Sequence, residues 1–186
     1  MPPPTRTPRE RWVAAGLEAL AEGGPESVRV EALAARLGVT KGGFYGHFPN
    51  RAALLTEMLD QWERRTTADV IAQVEAEGGD ATAKMQRAGL RTFSSELLPI
   101  DLAIRSWARH DPDVAARLKR VDNARMGYLR DLFATYVDDP DEIDARSTLA
   151  FTLAIGRHFM AADHGGRTEH EAVSLASEYI LRPPRP

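Results

Sequence analysis

Two short runs of helical periodicity, joined by a single glycine-centred turn, constrain this chain more than any other feature. Val30, Leu33, Ala34 and Leu37 recur at i, i+3, i+4 and i+7, the spacing of an amphipathic helix. Gly38 stands one step past the last of them, where a left-handed glycine ends a helix. Thr40 can cap a second helix through its hydroxyl, and Asn50 the helix after that. Pro49 separates the two, because proline disfavours helical geometry in the residue before it. Two short helices joined by a three- or four-residue turn with glycine form a helix-turn-helix unit. Its second helix enters the major groove of DNA with its N-terminal residues against the bases.

That second helix has an odd composition. Gly42, Gly43 and Gly46 share it with Phe44, Tyr45 and Phe48. Each glycine costs a helix about 1 kcal/mol relative to alanine. Phe44 and Phe48 are four apart and share a face that can anchor to a core. Gly42, Tyr45 and Gly46 lie on another face, where the missing Cβ lets the backbone approach a partner closely. A short helix pressed against DNA reconciles the two.

The rest of the chain reads as helices. Thr7-Pro8-Arg9-Glu10 has the form of a capping box opening a first helix, which Gly23-Gly24-Pro25 ends. Leu54, Leu55, Met58, Leu59 and Trp62 carry a fourth, expected to run to about Glu77 before Gly78-Gly79. Further apolar-periodic segments lie near 81–97, 100–109, 113–137, 141–164 and 170–181, with no alternating β pattern and no internal repeat. Arg182-Pro183-Pro184-Arg185-Pro186 is expected to be disordered. The predicted fold is all-α: an N-terminal three-helix helix-turn-helix domain over 1–51, and over 52–186 a C-terminal helical bundle.

Composition narrows the function. The chain has no cysteine, so disulfides and thiolate metal sites are excluded. The start lacks the apolar stretch of a signal peptide and no run approaches 18 apolar residues, so the expected location is the cytoplasm. The whole chain carries −3, yet residues 1–51 hold seven basic and five acidic side chains, a balance of +2 and a weak hint of an anionic partner. There is no HExxH, GxSxG, P-loop or GxGxxG. His158 and His164 are six apart, on different helical faces, and His110-Asp111 stands alone. No enzyme, metal or cofactor is expected.

The run Gly38-Val-Thr-Lys-Gly-Gly-Phe-Tyr-Gly-His-Phe-Pro-Asn-Arg-Ala-Ala-Leu-Leu55, with Val30–Leu37 before it, strongly resembles the DNA-binding signature of TetR-family transcriptional regulators. The likeness covers roughly residues 8–60. Ala103-Ile-Arg-Ser-Trp-Ala-Arg-His-Asp-Pro-Asp-Val114 is more loosely similar to a regulatory domain in one branch of that family. The resemblance implies a two-fold dimer that binds double-stranded DNA and responds to a small molecule. By position it assigns Thr40, Lys41, Gly42 and Gly43 to phosphate or base contact, and Tyr45, His47 and Arg51 to phosphates. Gly46 departs from members with a large aromatic there. Arg29 replaces the usual Ser or Thr cap and could reach a phosphate; Arg6, in the N-terminal arm, could enter the minor groove.

The resemblance also implies an effector site. Trp62, Phe93, Trp107, Met126 and Phe133 are candidate lining residues, though most such aromatics serve the core, and Arg105 and His110 are candidate polar groups. One short recognition helix reads too few bases to find a site in a genome, so a second copy must supply another. Residues 147–160 are apolar on more than one face. With the final helix they are the expected dimer interface, through Phe151, Ala154, Ile155, Ala172, Ala176 and Tyr179. The reading is a ligand-responsive regulator acting as a repressor; the alternative is an all-α carrier or enzyme that has lost DNA binding.

Overall fold

A computed structural model of the chain describes residues 7–182. Arg6 and the tail from Pro183 lie outside the described residues. Among the described residues there is no strand, and one isolated bridge pairs His164 with Arg167. The fold is all-α. The chain packs as two compact units, one from residues up to Asp69 with Ser94–Val121, the other from Val70–Phe93 with the residues from Asp122 onward. No helix among the described residues is long and apolar enough to cross a membrane.

The first unit opens with α1 (Arg9–Gly23), α2 (Val30–Leu37), α3 (Lys41–Tyr45) and α4 (Arg51–Thr66). The glycine signals hold. Gly24 ends α1 at φ 72°, and Gly38 ends α2 in the left-handed region at φ 67°, ψ 32°. Asn50 caps α4, its side chain accepting from the Ala53 N–H at 2.9 Å. Two caps fail. Pro8 itself is the residue flanking α1, so Thr7 falls one position too early and no side-chain cap forms. Thr40 flanks α3 in extended geometry, but its hydroxyl makes no capping bond; the first turn closes through its carbonyl, which accepts from Gly43 N–H at 3.0 Å.

The fourth helix does not reach Glu77. It breaks at Thr67 (φ −128°, ψ −87°), and α5 (Ala68–Glu77) starts afresh. The cause is local: Thr66 and Thr67 donate their hydroxyls to the carbonyls of Trp62 and Glu63, at 2.8 and 2.5 Å. Two successive bonds of this kind compete with the helical ladder and bend it.

The core of this unit is aromatic. Trp12 meets Phe44 edge-to-face at 5.4 Å, and Phe44 stacks on Phe48 at 5.4 Å. Leu54, Met58 and Trp62 of α4 join them, as do Ile100 and Ile104 of α7 (Leu98–Ala108) and Val114 of α8 (Pro112–Phe133). A Cβ on Gly16 would stand 2.6 Å from the Met58 sulfur, so only glycine lets Met58 pack there unmoved.

In the second unit, α6 (Ala81–Thr92), the later turns of α8, α9 (Pro140–Gly156) and α10 (Glu169–Leu181) bury Met85, Leu132, Phe133 and Leu181. Thr168 and Glu171 form the capping box of α10. Tyr136 donates to the Leu181 carbonyl at 3.0 Å, and Arg146 to that of Arg182 at 2.6 Å, fastening the end of α10. The Tyr128 hydroxyl donates to Glu75 at 2.7 Å, and burial beside that carboxylate pushes its titration well above the ordinary tyrosine range.

Candidate nucleic-acid interface

The helix-turn-helix is anchored from behind. Phe44 and Phe48 are buried, and the opposite side of α3 presents Lys41, Gly42, Tyr45 and Gly46 to solvent. Tyr45 is 53% exposed. Its ring lies edge-on to Phe44 at 5.3 Å, which holds the phenol on the surface.

None of the three glycines is required by backbone geometry: Gly42, Gly43 and Gly46 all have negative φ. A Cβ on Gly42 would find only the Thr40 hydroxyl, at 3.8 Å, and one on Gly43 only the edge of Trp12, at 3.8 Å. The fold has room for side chains that the sequence withholds. A helix that forgoes permissible side chains on its exposed face offers bare backbone to whatever docks there.

The basic residues are arranged less simply. Lys41 is ion-paired with Glu31 on α2, and their mutual hydrogen bond raises the lysine titration and lowers that of the glutamate. Arg36 on α2 pairs with Glu18 and Glu22 on α1. Arg29 is exposed at the start of α2 and makes no side-chain cap. Arg51 turns inward: its Nε donates to the Val28 carbonyl at 2.6 Å and its Nη2 to that of Pro25. It is a brace first, which the sequence reading missed. His47 is half-buried with Nε2 unpartnered and shut off from solvent, so that atom cannot serve a phosphate as placed. The His47 carbonyl accepts from Arg9 Nη1 at 2.6 Å, while Arg9 Nη2 pairs with Glu57 at 2.9 Å. Arg9 and Glu31, neither singled out from sequence, thus flank the two ends of α3.

The candidate effector residues are divided between the two units. Trp62 and Phe133 are fully buried core residues of the first and second units. Trp62 donates to Asp101 at 3.3 Å, and the same carboxylate accepts from Arg105 at 2.7 Å. Phe93 and Met126 are half-buried in the second unit, with Arg125 placed 5.6 Å over the Phe93 ring. Trp107 and His110 alone among the candidates line a cavity of about 550 Å³ in the first unit, between α7 and the last turn of α1.

Of the dimer candidates, Phe151, Ala154, Ile155, Ala172 and Ala176 are half-buried and Tyr179 is 61% exposed. Leu149, Phe159, Met160 and Leu175 add exposed apolar surface on the same two helices and the turn between them. No group of three or more metal-ligating side chains occurs among the described residues.

Comparison with known proteins agrees with this geometry. The model of the family described as bacterial regulatory proteins, tetR family, matches residues 13–58, from α1 into α4. Among solved structures, a TetR transcriptional regulator from Legionella pneumophila is similar over 97% of this chain and 100% of its own, with TM-score 0.77 at 15% identity. A transcriptional regulator from Rhodococcus sp. Rha1 covers 94% of each chain, with TM-score 0.71 at 20% identity. AibR, solved with isovaleryl coenzyme A and operator DNA, covers 95% of this chain and 100% of its own, with TM-score 0.67 at 14% identity. No curated protein matches. The helix-turn-helix of α2 and α3, its aromatic anchor and the family match over 13–58 make the N-terminal region of the chain similar to the tetR family of bacterial regulatory proteins.

Proposed function

We propose that this DNA-binding regulator is a repressor that occupies a roughly palindromic operator as a homodimer in the cytoplasm and is released by a small molecule. Residues 1–51 carry the DNA contacts; residues 52–186 carry effector binding and dimerisation. The observation behind the reading is the exposed face of α3, with Lys41 and Tyr45 set around glycines that the backbone does not need. Thr40, Lys41, Gly42 and Gly43 meet bases and nearby phosphates, and Tyr45 meets a phosphate.

Release follows from population shift: an effector that prefers the DNA-incompetent spacing of two recognition helices lowers operator affinity. The cavity beside Trp107 and His110 has the size of a ligand site and touches α1, which packs against the recognition helix through Trp12. That AibR was solved with both an operator and an acyl-coenzyme A lends support to a two-ligand design on this fold.

Selection of duplexes from a randomised library by the full chain tests the reading. A recovered inverted repeat, bound with steep salt dependence, is the expected result. A chain that enriches no sequence, yet retains a small molecule on purification, is instead the carrier that such a fold could also make.

A further inference from the structure

Lys41 opens α3 and Glu31 sits in the first turn of α2, and the left-handed turn at Gly38 brings the two together. Both side chains are exposed, Lys41 at 49% and Glu31 at 66%. An exposed pair of this kind contributes little to stability and is screened by salt. Its position matters more than its strength: it sits where the reading surface offers its one lysine.

We infer that Glu31 is a specificity-determining residue, which holds Lys41 back from phosphates and leaves it as an oriented donor for a base edge. The inference rests on the DNA-binding reading above. A free lysine at a DNA surface pairs with any phosphate, and so adds affinity for every sequence alike. Here the ammonium gives one of its three donors to Glu31 and keeps two. To reach a phosphate as a full cation, Lys41 must leave Glu31 and expose a carboxylate to the anionic backbone. To donate to a purine edge it need not leave. The pair therefore penalises non-specific binding more than specific binding, as a repulsive element in a selective interface does. Arg29 is the other charged group acting on Glu31, and it remains to steer the anionic partner. Arg36 is held similarly by Glu18 and Glu22.

The test compares wild type, Glu31→Gln, Lys41→Ala and the double variant by fluorescence anisotropy over a potassium chloride series. The probes are the duplex selected by the wild type and a scrambled duplex of the same composition. Glu31→Gln should bind the scrambled duplex about five-fold more tightly at low salt, with a slope of log K against log salt steeper by about 0.9 for one added phosphate contact. The selected duplex should gain less, so the ratio between the two falls. In the Lys41→Ala background the same substitution should change neither slope nor ratio. An unchanged ratio in Glu31→Gln overturns the inference. So does an equal gain without Lys41, which would mark simple repulsion by the carboxylate. A melting temperature for Glu31→Gln far below wild type would show a structural role and also overturn it. If the wild type binds neither duplex at low salt, the DNA-binding reading itself fails; if it binds but the ratio does not move, this inference alone is lost.

Discussion

The Arg9 guanidinium lies 4.2 Å from the centre of the Phe48 ring. The same group donates to the His47 carbonyl and pairs with Glu57, so one side chain of α1 grips the turn after α3 and the face of α4. Arg9→Ala removes all three contacts. Charged hydrogen bonds and a half-exposed cation–π contact together suggest a loss of about 1–2 kcal/mol in urea unfolding. Arg9→Lys should recover only part of it, because a point charge cannot fork between a carbonyl and a carboxylate while lying over a ring. Equal stability of the lysine and arginine forms would show that charge alone matters there.

Lys41 and Tyr45 should fail differently. Lys41→Ala should alter which base pair is preferred, with a loss of about 1–3 kcal/mol at the position it reads. Tyr45→Phe removes only a hydroxyl, and should weaken every sequence alike by about 1–2 kcal/mol if that hydroxyl serves a phosphate. Library selections with each variant separate the two. A sequence preference unchanged by Lys41→Ala would count against base readout.

Gly42→Leu should fold as well as wild type or slightly better. Its Cβ would make only an ordinary contact with the Thr40 hydroxyl, at 3.8 Å, and the helix gains propensity of up to about 1 kcal/mol. Affinity for the selected duplex should nevertheless drop to the level of non-specific DNA, roughly a thousand-fold or more. Retained operator affinity in a well-folded variant would refute the close-approach argument.

Where α1 crosses α4, Gly16→Val should destabilise the chain by about 1–3 kcal/mol through overpacking against Met58. Combining it with Met58→Ala should cost less than the sum of the two, because the alanine vacates the space the valine needs. Additive losses in denaturant unfolding would mean that Gly16 is kept for some other reason.

The proposed dimer interface is best tested at half-buried Ala176 and exposed Tyr179, both on α10. Ala176→Glu or Tyr179→Glu would place an unpaired charge in the interface and weaken association roughly a hundred-fold or more. Sedimentation at micromolar concentration should then show monomer. Variants that remain dimeric would move the interface elsewhere.

What the sequence made legible was local. Phe44 and Phe48 as core, Gly38 as the turn and Asn50 as a cap all follow from spacings of four residues or fewer. The misses depend on partners or on competition. Thr7–Glu10 and Thr168–Glu171 show the same pattern, but only the second forms a capping box, since α1 begins one residue later than its first threonine requires. The break at Thr67 comes from hydroxyls that could equally have faced solvent. Arg51 reads as a free cation because the carbonyls it serves are 23 and 26 residues away. Trp62 reads as a ligand-facing aromatic until Asp101, 39 residues on, is seen to accept its N–H.

The inward turn of Arg51 carries a mechanical consequence. Pro49-Asn50 is the natural place for the chain to flex between the recognition helix and α4. Arg51 bypasses that joint by tying the first residue of α4 to carbonyls just ahead of α2. Arg9 adds a second tie, from α1 to Glu57 half-way along α4. A torque on α4 is thus delivered to α1, α2 and α3 together and is not dissipated at the loop. On the proposed function, small displacements at the far end of α4 would then change where α3 points without unfolding it.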